Sequence, residues 1–127
     1  MKNALIAATL ALTVSAPAFA AVGACEKPTQ INIPENVNQL SLPEFKTLHA
    51  QGEAYMNSAR SYLKCLDGII YSTAPENPVV NQAGNAHKNY AQEWGMVWGN
   101  LNLACVNWEA SHGAQFPGGC QPTNPTS

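Results

Sequence analysis

From Phe45 onward, apolar or small residues recur at 45, 48, 52, 55, 59, 62, 66 and 69, in alternating steps of three and four. The same steps return from Val80 through Ala83, His87, Tyr90, Trp94, Val97, Leu101 and Ala104 to Trp108. Such spacing lines up one face of a 3.6-residue helix, so two long amphipathic helices are predicted. The first has a legible start. Ser41-Leu42-Pro43-Glu44 is an S-x-x-E capping box with Ser41 as N-cap, and Leu40 and Phe45 hold the two hydrophobic-staple positions. Asp67-Gly68 either ends this helix or weakens it, and Ala74 to Pro78, with two prolines bracketing Glu76-Asn77, is a turn. Asn77-Pro78 then suits an N-cap followed by proline at the first helical position, and His112-Gly113 offers a stop.

The flanks lack this period. Residues 21–40 carry prolines at 28 and 34 and β-branched residues at 31, 33 and 37, which predicts an extended arm lying against something that covers Ile31, Ile33 and Val37. Residues 114–127 are rich in Gly and Pro and read as an irregular tail, tied down by Cys120 alone. The predicted fold is therefore all-α: an antiparallel two-helix hairpin over residues 41–113, with an extended N-terminal arm and an irregular C-terminal tail, stapled by disulfides. A lone hairpin buries one stripe per helix. Further cover must come from the arm, the tail or a second copy completing a four-helix bundle.

The first twenty residues have a different character. Lys2, an apolar run from Ala4 to Val14 and Ala18-Phe19-Ala20 form a secretory signal peptide, too short and too broken by Ser15 and Pro17 to span a membrane. Val22-Gly23-Ala24-Cys25 loosely resembles a lipobox, but lipidation of Cys25 would leave an odd cysteine, so cleavage after Ala20 is expected. Cleavage leaves five basic residues, Lys27, Lys46, Arg60, Lys64 and Lys88, against eight acidic ones, a formal charge of −3. Scattered bases on an acidic chain do not make a nucleic-acid surface. The mature chain is expected in the periplasm or outside the cell, with no transmembrane segment.

Cys25, Cys65, Cys105 and Cys120 fit a small exported domain that supplements a modest core with disulfides. Four cysteines allow three connectivities. In a hairpin turning near Glu76, Cys65 and Cys105 lie about 27 Å apart along the axis, too far for the roughly 7 Å that a disulfide spans. An arm running back along the first helix brings Cys25 to Cys65, and the tail brings Cys120 to Cys105. The third connectivity needs the short tail to run most of the way down the hairpin, so the pairs expected are 25–65 and 105–120.

Cys25-x-x-Pro28 with Pro34, then a helix carrying Tyr55 and ending Tyr62-Leu63-Lys64-Cys65-Leu66, resembles an uncharacterised family of small exported proteins of Gram-negative bacteria. The resemblance covers residues 25–67. It implies an extended Cys-Pro arm stapled to a helical hairpin and carries no activity.

Candidate chemistry is sparse. With the turn near Glu76, His87 faces Cys65, the beginning of a nucleophilic or redox pair, although an exported Cys65 belongs more naturally in a disulfide. His49 and Glu53 share a helix face, and His112 lies at the same end of the hairpin, but no metal-binding motif accompanies them and no metal is expected. No cofactor is implied. Trp94, Gly95, Trp98 and Gly99 combine aromatic bulk with G-x-x-x-G spacing; two mid-helix glycines, each costing about 1 kcal/mol, suggest that something packs there. That face is the expected contact surface, for a second copy or an envelope protein. The reading is a noncatalytic exported binding or envelope-interaction module; the alternatives are a small periplasmic enzyme or redox protein using Cys65 and His87, or a structural homo-oligomer.

Overall fold

The computed structural model describes residues 22–120. The expected signal peptide, residues 1–20, and residues 121–127 of the tail lie outside this range. Two helices, α1 (Leu42–Ser72) and α2 (Pro78–His112), pack side by side as an antiparallel hairpin, preceded by a 3-10 turn at Val37–Gln39.

Helix α1 starts at the predicted capping box. Ser41 Oγ accepts the Glu44 amide at 3.3 Å, and the Glu44 carboxylate accepts the Ser41 amide at 2.8 Å. The helix runs through Asp67-Gly68 for one more turn, because a single glycine weakens a helix without terminating it. The Asn77 side chain accepts the Val79 amide at 3.0 Å, Pro78 opens α2, and Gly113, at φ 59°, closes it in the left-handed conformation that glycine adopts freely.

The periodic residues of both helices face inward, with three departures. Met56 and Leu63 widen the buried stripe of α1, Cys105 joins that of α2, and Val79 is buried where the spacing pointed to Val80. The core falls into two clusters. One, toward the turn, gathers Tyr55, Met56, Leu66, Tyr90 and Trp94; the other, at the open end, gathers Phe45, Leu48, Trp108 and Phe116. Ile31 and Ile33 of the arm pack against both, so the arm is the cover that two helices alone lack.

The arm is not extended throughout. The Val37 amide reaches the Pro34 carbonyl at 3.2 Å, and the resulting turn buries Val37 and presents the Leu40 carbonyl to Trp108 Nε1 at 2.9 Å. The tail is held by more than its cysteine. Phe116 is buried edge-on to Phe45, and its amide donates to the Glu109 carboxylate at 2.9 Å. A ring that large repays burial wherever the chain can reach the core.

Both disulfides join the expected pairs, Cys25 to Cys65 and Cys105 to Cys120, with Cα separations of 5.6 and 5.3 Å. They lie at opposite ends of the hairpin, and neither links α1 to α2. Among the described residues, no helix is long and apolar enough to cross a membrane.

Candidate functional site

The arm does not fill the space beside α1. Between residues 26–32 and the outward side of α1 lies an open groove of about 780 Å³, within the range of roughly 300–1,000 Å³ common for ligand sites. Its helical wall is a stripe of short or uncharged side chains, Gln51, Ala54, Ser58 and Ser61, with Asn57 beside them. Tyr55 and Tyr62 line it from the core, and Thr29, Gln30 and Asn32 face it from the arm. Among the described residues, the backbone of 26–33 makes no hydrogen bond to other backbone.

Two devices fix this arm. The Cys25–Cys65 disulfide anchors its start, and Glu93 of α2 clamps its middle: Gln30 Nε2 donates to Oε1 at 2.9 Å, and Lys27 Nζ lies 3.3 Å from Oε2. Lys27 and Gln30 are three apart, the repeat of a polyproline II turn, which suits a segment containing Pro28. The Gln30 hydrogen bond and the Lys27 charge hold the Glu93 carboxyl below the usual glutamate range. Lys27 also sits 5.6 Å from the centroid of the Tyr90 ring.

Beneath the groove, Tyr90 donates its hydroxyl proton to Tyr55 Oη at 3.1 Å, and its ring meets that of Tyr62 edge-on. Burial, reinforced by the bond to Tyr55, pushes the Tyr90 phenol far above its ordinary value, so it stays protonated. Tyr55 is the acceptor of that hydrogen bond.

The expected contact residues separate. Trp94 is buried in the core, and Trp98 is half-buried against it. The indole nitrogens of both are enclosed without a hydrogen-bond partner. Gly95 is exposed and Gly99 half-buried, and a Cβ on either would meet nothing within 4 Å. Their spacing therefore does not mark a close approach within the chain. That role belongs to Gly52, where a Cβ would sit 3.2 Å from Leu101 Cδ1. Around Gly95 and Gly99 the outer side of α2 exposes Met96 (66%), Leu103 (59%) and Val106 (48%), an apolar strip that the tryptophan spacing did not reveal.

The remaining candidates are brought to other partners. His87 Nε2 lies 3.2 Å from Asp67 Oδ1, not against Cys65. Two residues along a helix rotate a side chain by about 200°: Asp67 faces α2 while Cys65 points to the arm. All four cysteines are disulfide-bonded, so the Cys65 sulfur carries no thiol. His49 Nδ1 pairs with Glu53 at 3.8 Å and its ring packs on Phe116, whereas His112 stacks on Trp108 with Nδ1 at 2.9 Å from the Trp108 carbonyl. The two histidines thus share an aromatic cluster without converging on one point. Among the described residues, the group with ligand-like spacing is Cys105, Glu109 and Cys120, whose two sulfurs are already joined to each other.

The groove itself escaped the sequence reading. Its signal was the run of short polar or small side chains at 51, 54, 58 and 61 beside Tyr55 and Tyr62, which leaves space on a helix flank that an arm can roof. Comparison of the chain with protein-family models, with curated proteins and with solved structures finds no match.

Proposed function

We propose that the protein is an exported, noncatalytic binding module of a Gram-negative envelope, periplasmic or secreted, and that it holds its ligand in the groove between the arm and α1. Membership in the family that residues 25–67 resemble belongs to the same proposal. The observation that carries the reading is the groove: a concave space of about 780 Å³, with an arm wall fixed by a disulfide and by the Glu93 clamp. A wall ordered before the ligand arrives avoids the entropy of ordering it on binding. The two disulfides and the lack of a spanning helix among the described residues are compatible with export.

The test compares wild type with a Ser58→Arg/Ser61→Arg double variant, which fills the groove from exposed helix positions. In ligand-observed NMR with a low-molecular-weight envelope extract, wild type should broaden a set of ligand resonances that the variant leaves sharp. Equal broadening by both would place binding elsewhere and overturn the groove.

A second reading, a structural homo-oligomer, is favoured by the outer strip of α2. Met96, Gly99, Leu103 and Val106 follow steps of three, four and three, and a two-fold axis between Gly99 and Leu103 would set each leucine into the space over the partner's glycine.

A further inference from the structure

We infer that the groove takes a neutral, polyhydroxylated ligand, an oligosaccharide chain; the inference rests on the binding-module reading and adds the ligand's chemistry.

Of the residues lining the groove, Glu26 and Lys27 alone are of charged type, and they are neighbours in the arm. Lys27 is already spent on Glu93. An anionic ligand would find one lining cation, Lys27, already neighboured by Glu93 and next to Glu26 in the chain. A cationic ligand would find a single exposed carboxylate, a weak attraction in water.

Donors and acceptors are mixed along the wall. Thr29, Asn32, Gln51, Asn57 and Ser58 each both donate and accept. Two further groups are committed in part. Ser61 Oγ donates to the Asn57 carbonyl at 3.1 Å, leaving its oxygen as an acceptor. Gln30 uses one amide N–H on Glu93 and keeps the other together with its carbonyl. Sugar hydroxyls and acetamido groups likewise donate and accept at neighbouring atoms, so such a ligand can satisfy a wall of this kind along its length.

An extended peptide suits this wall less well than a sugar. A peptide places side chains in pockets at regular intervals, and affinity comes from burying the apolar ones. The outward stripe of α1 from Gln51 to Ser61 presents amides and hydroxyls around Ala54, while Pro28, Ile31, Tyr55 and Tyr62 supply the apolar part of the lining without forming a row of separate side-chain pockets. Apolar peptide side chains laid over the amides and hydroxyls of that stripe would leave them unpaired. The tyrosines, buried except where they border the groove, provide apolar ring edge for the carbon faces of a sugar.

The test titrates the ¹⁵N-labelled chain, with both disulfides intact, using three probes: chitohexaose, cellohexaose and an uncharged extended peptide of alternating alanine and valine. Shifts of the Gln51 and Asn57 side-chain amides and of the Ser58 and Ser61 backbone amides are expected with at least one sugar. Ser58→Arg should weaken that binding by about tenfold or more, the scale of one lost hydrogen-bonded contact, while leaving the melting temperature and the disulfides unchanged. A neutral variant, Ser58→Ala, should weaken it less, which separates blockage from misfolding. Groove shifts with the peptide and none with either sugar would overturn the ligand class and leave the binding module standing. Shifts with none of the three, together with equal extract broadening by wild type and the groove-filled variant, would overturn both.

Discussion

Three glycines on the two helices occupy unlike environments, and their substitution separates packing from propensity. At Gly52 an added Cβ would press on Leu101 Cδ1 and Cδ2 at 3.2 and 3.3 Å, whereas at Gly95 and Gly99 it would meet nothing within 4 Å. Replacing a mid-helix glycine by alanine gains about 1 kcal/mol where space is open. Gly95→Ala and Gly99→Ala should therefore raise the melting temperature, and Gly52→Ala should lower it, because displacing Leu101 costs more than the propensity returns. Thermal melts decide this, and a rise at Gly52 would show that the helix contact is slack. Tyr90 gives a second test at this scale. Its phenol is held protonated in the fold but ionises near its ordinary value of 10.0 once unfolded, so its contribution is complete below that pH and is lost as the pH rises above it. Denaturant titrations of wild type should show stability falling above about pH 10, with a shallower fall in Tyr90→Phe and a loss of about 0.5–1.5 kcal/mol at neutral pH from the missing hydrogen bond. The sequence placed Tyr55, Tyr62, Tyr90 and Trp94 on inward faces through spacing alone. It could not show that Tyr90 donates to Tyr55, because that depends on side-chain reach between helices rather than on period.

The start of each helix and the end of α2 are secured by local devices, and these were the most readable elements. The capping box of α1 needs only four consecutive residues, so it was visible in sequence; Ser41→Ala should cost about 0.5–2 kcal/mol, seen as a lower denaturation midpoint with an unchanged slope. The arm was legible as extended and cysteine-anchored. Its 3-10 turn and the clamp to Glu93 were not, since Lys27 and Gln30 reach a residue more than sixty positions away that no local pattern connects to them. Glu93 and Glu44 both have carboxyls held below the ordinary value of 4.5 by hydrogen bonds. Their contribution is present above that value and is lost as the pH falls through their lowered folded-state values. Acid should accordingly loosen the arm. Hydrogen exchange at residues 26–33 should quicken as the pH drops through the carboxylate range, after correction for intrinsic rates, and Glu93→Gln should lessen that dependence.

At the scale of the whole molecule, the hairpin, its arm and its pairing of cysteines were open to sequence reasoning because helix rise and disulfide reach leave one arrangement. The groove and the outer strip of α2 were not, since each depends on what the arm leaves uncovered. If the strip joins two copies, wild type should sediment as a dimer at high concentration, and Leu103→Lys should restore the monomer without lowering its stability; a wild-type monomer throughout would end the homo-oligomer reading. The disulfides bear on stability in proportion to the loops they close: about 4 kcal/mol for the separation of 40 residues and about 3 for that of 15 in the chain-entropy estimate. Replacing Cys25 and Cys65 together by serine should thus cost more than replacing Cys105 and Cys120. The order of those pairs has a consequence for biogenesis. Each cysteine is joined to its neighbour in the sequence, first to second and third to fourth, with no interleaving. Under the export proposed above, a chain threaded N-terminus first into an oxidising compartment presents Cys25 and Cys65 before Cys105 arrives. A donor of oxidising equivalents that joins thiols in order of emergence therefore produces the native pairs directly, and the protein should mature at full yield in cells that lack a disulfide isomerase while still requiring the oxidase.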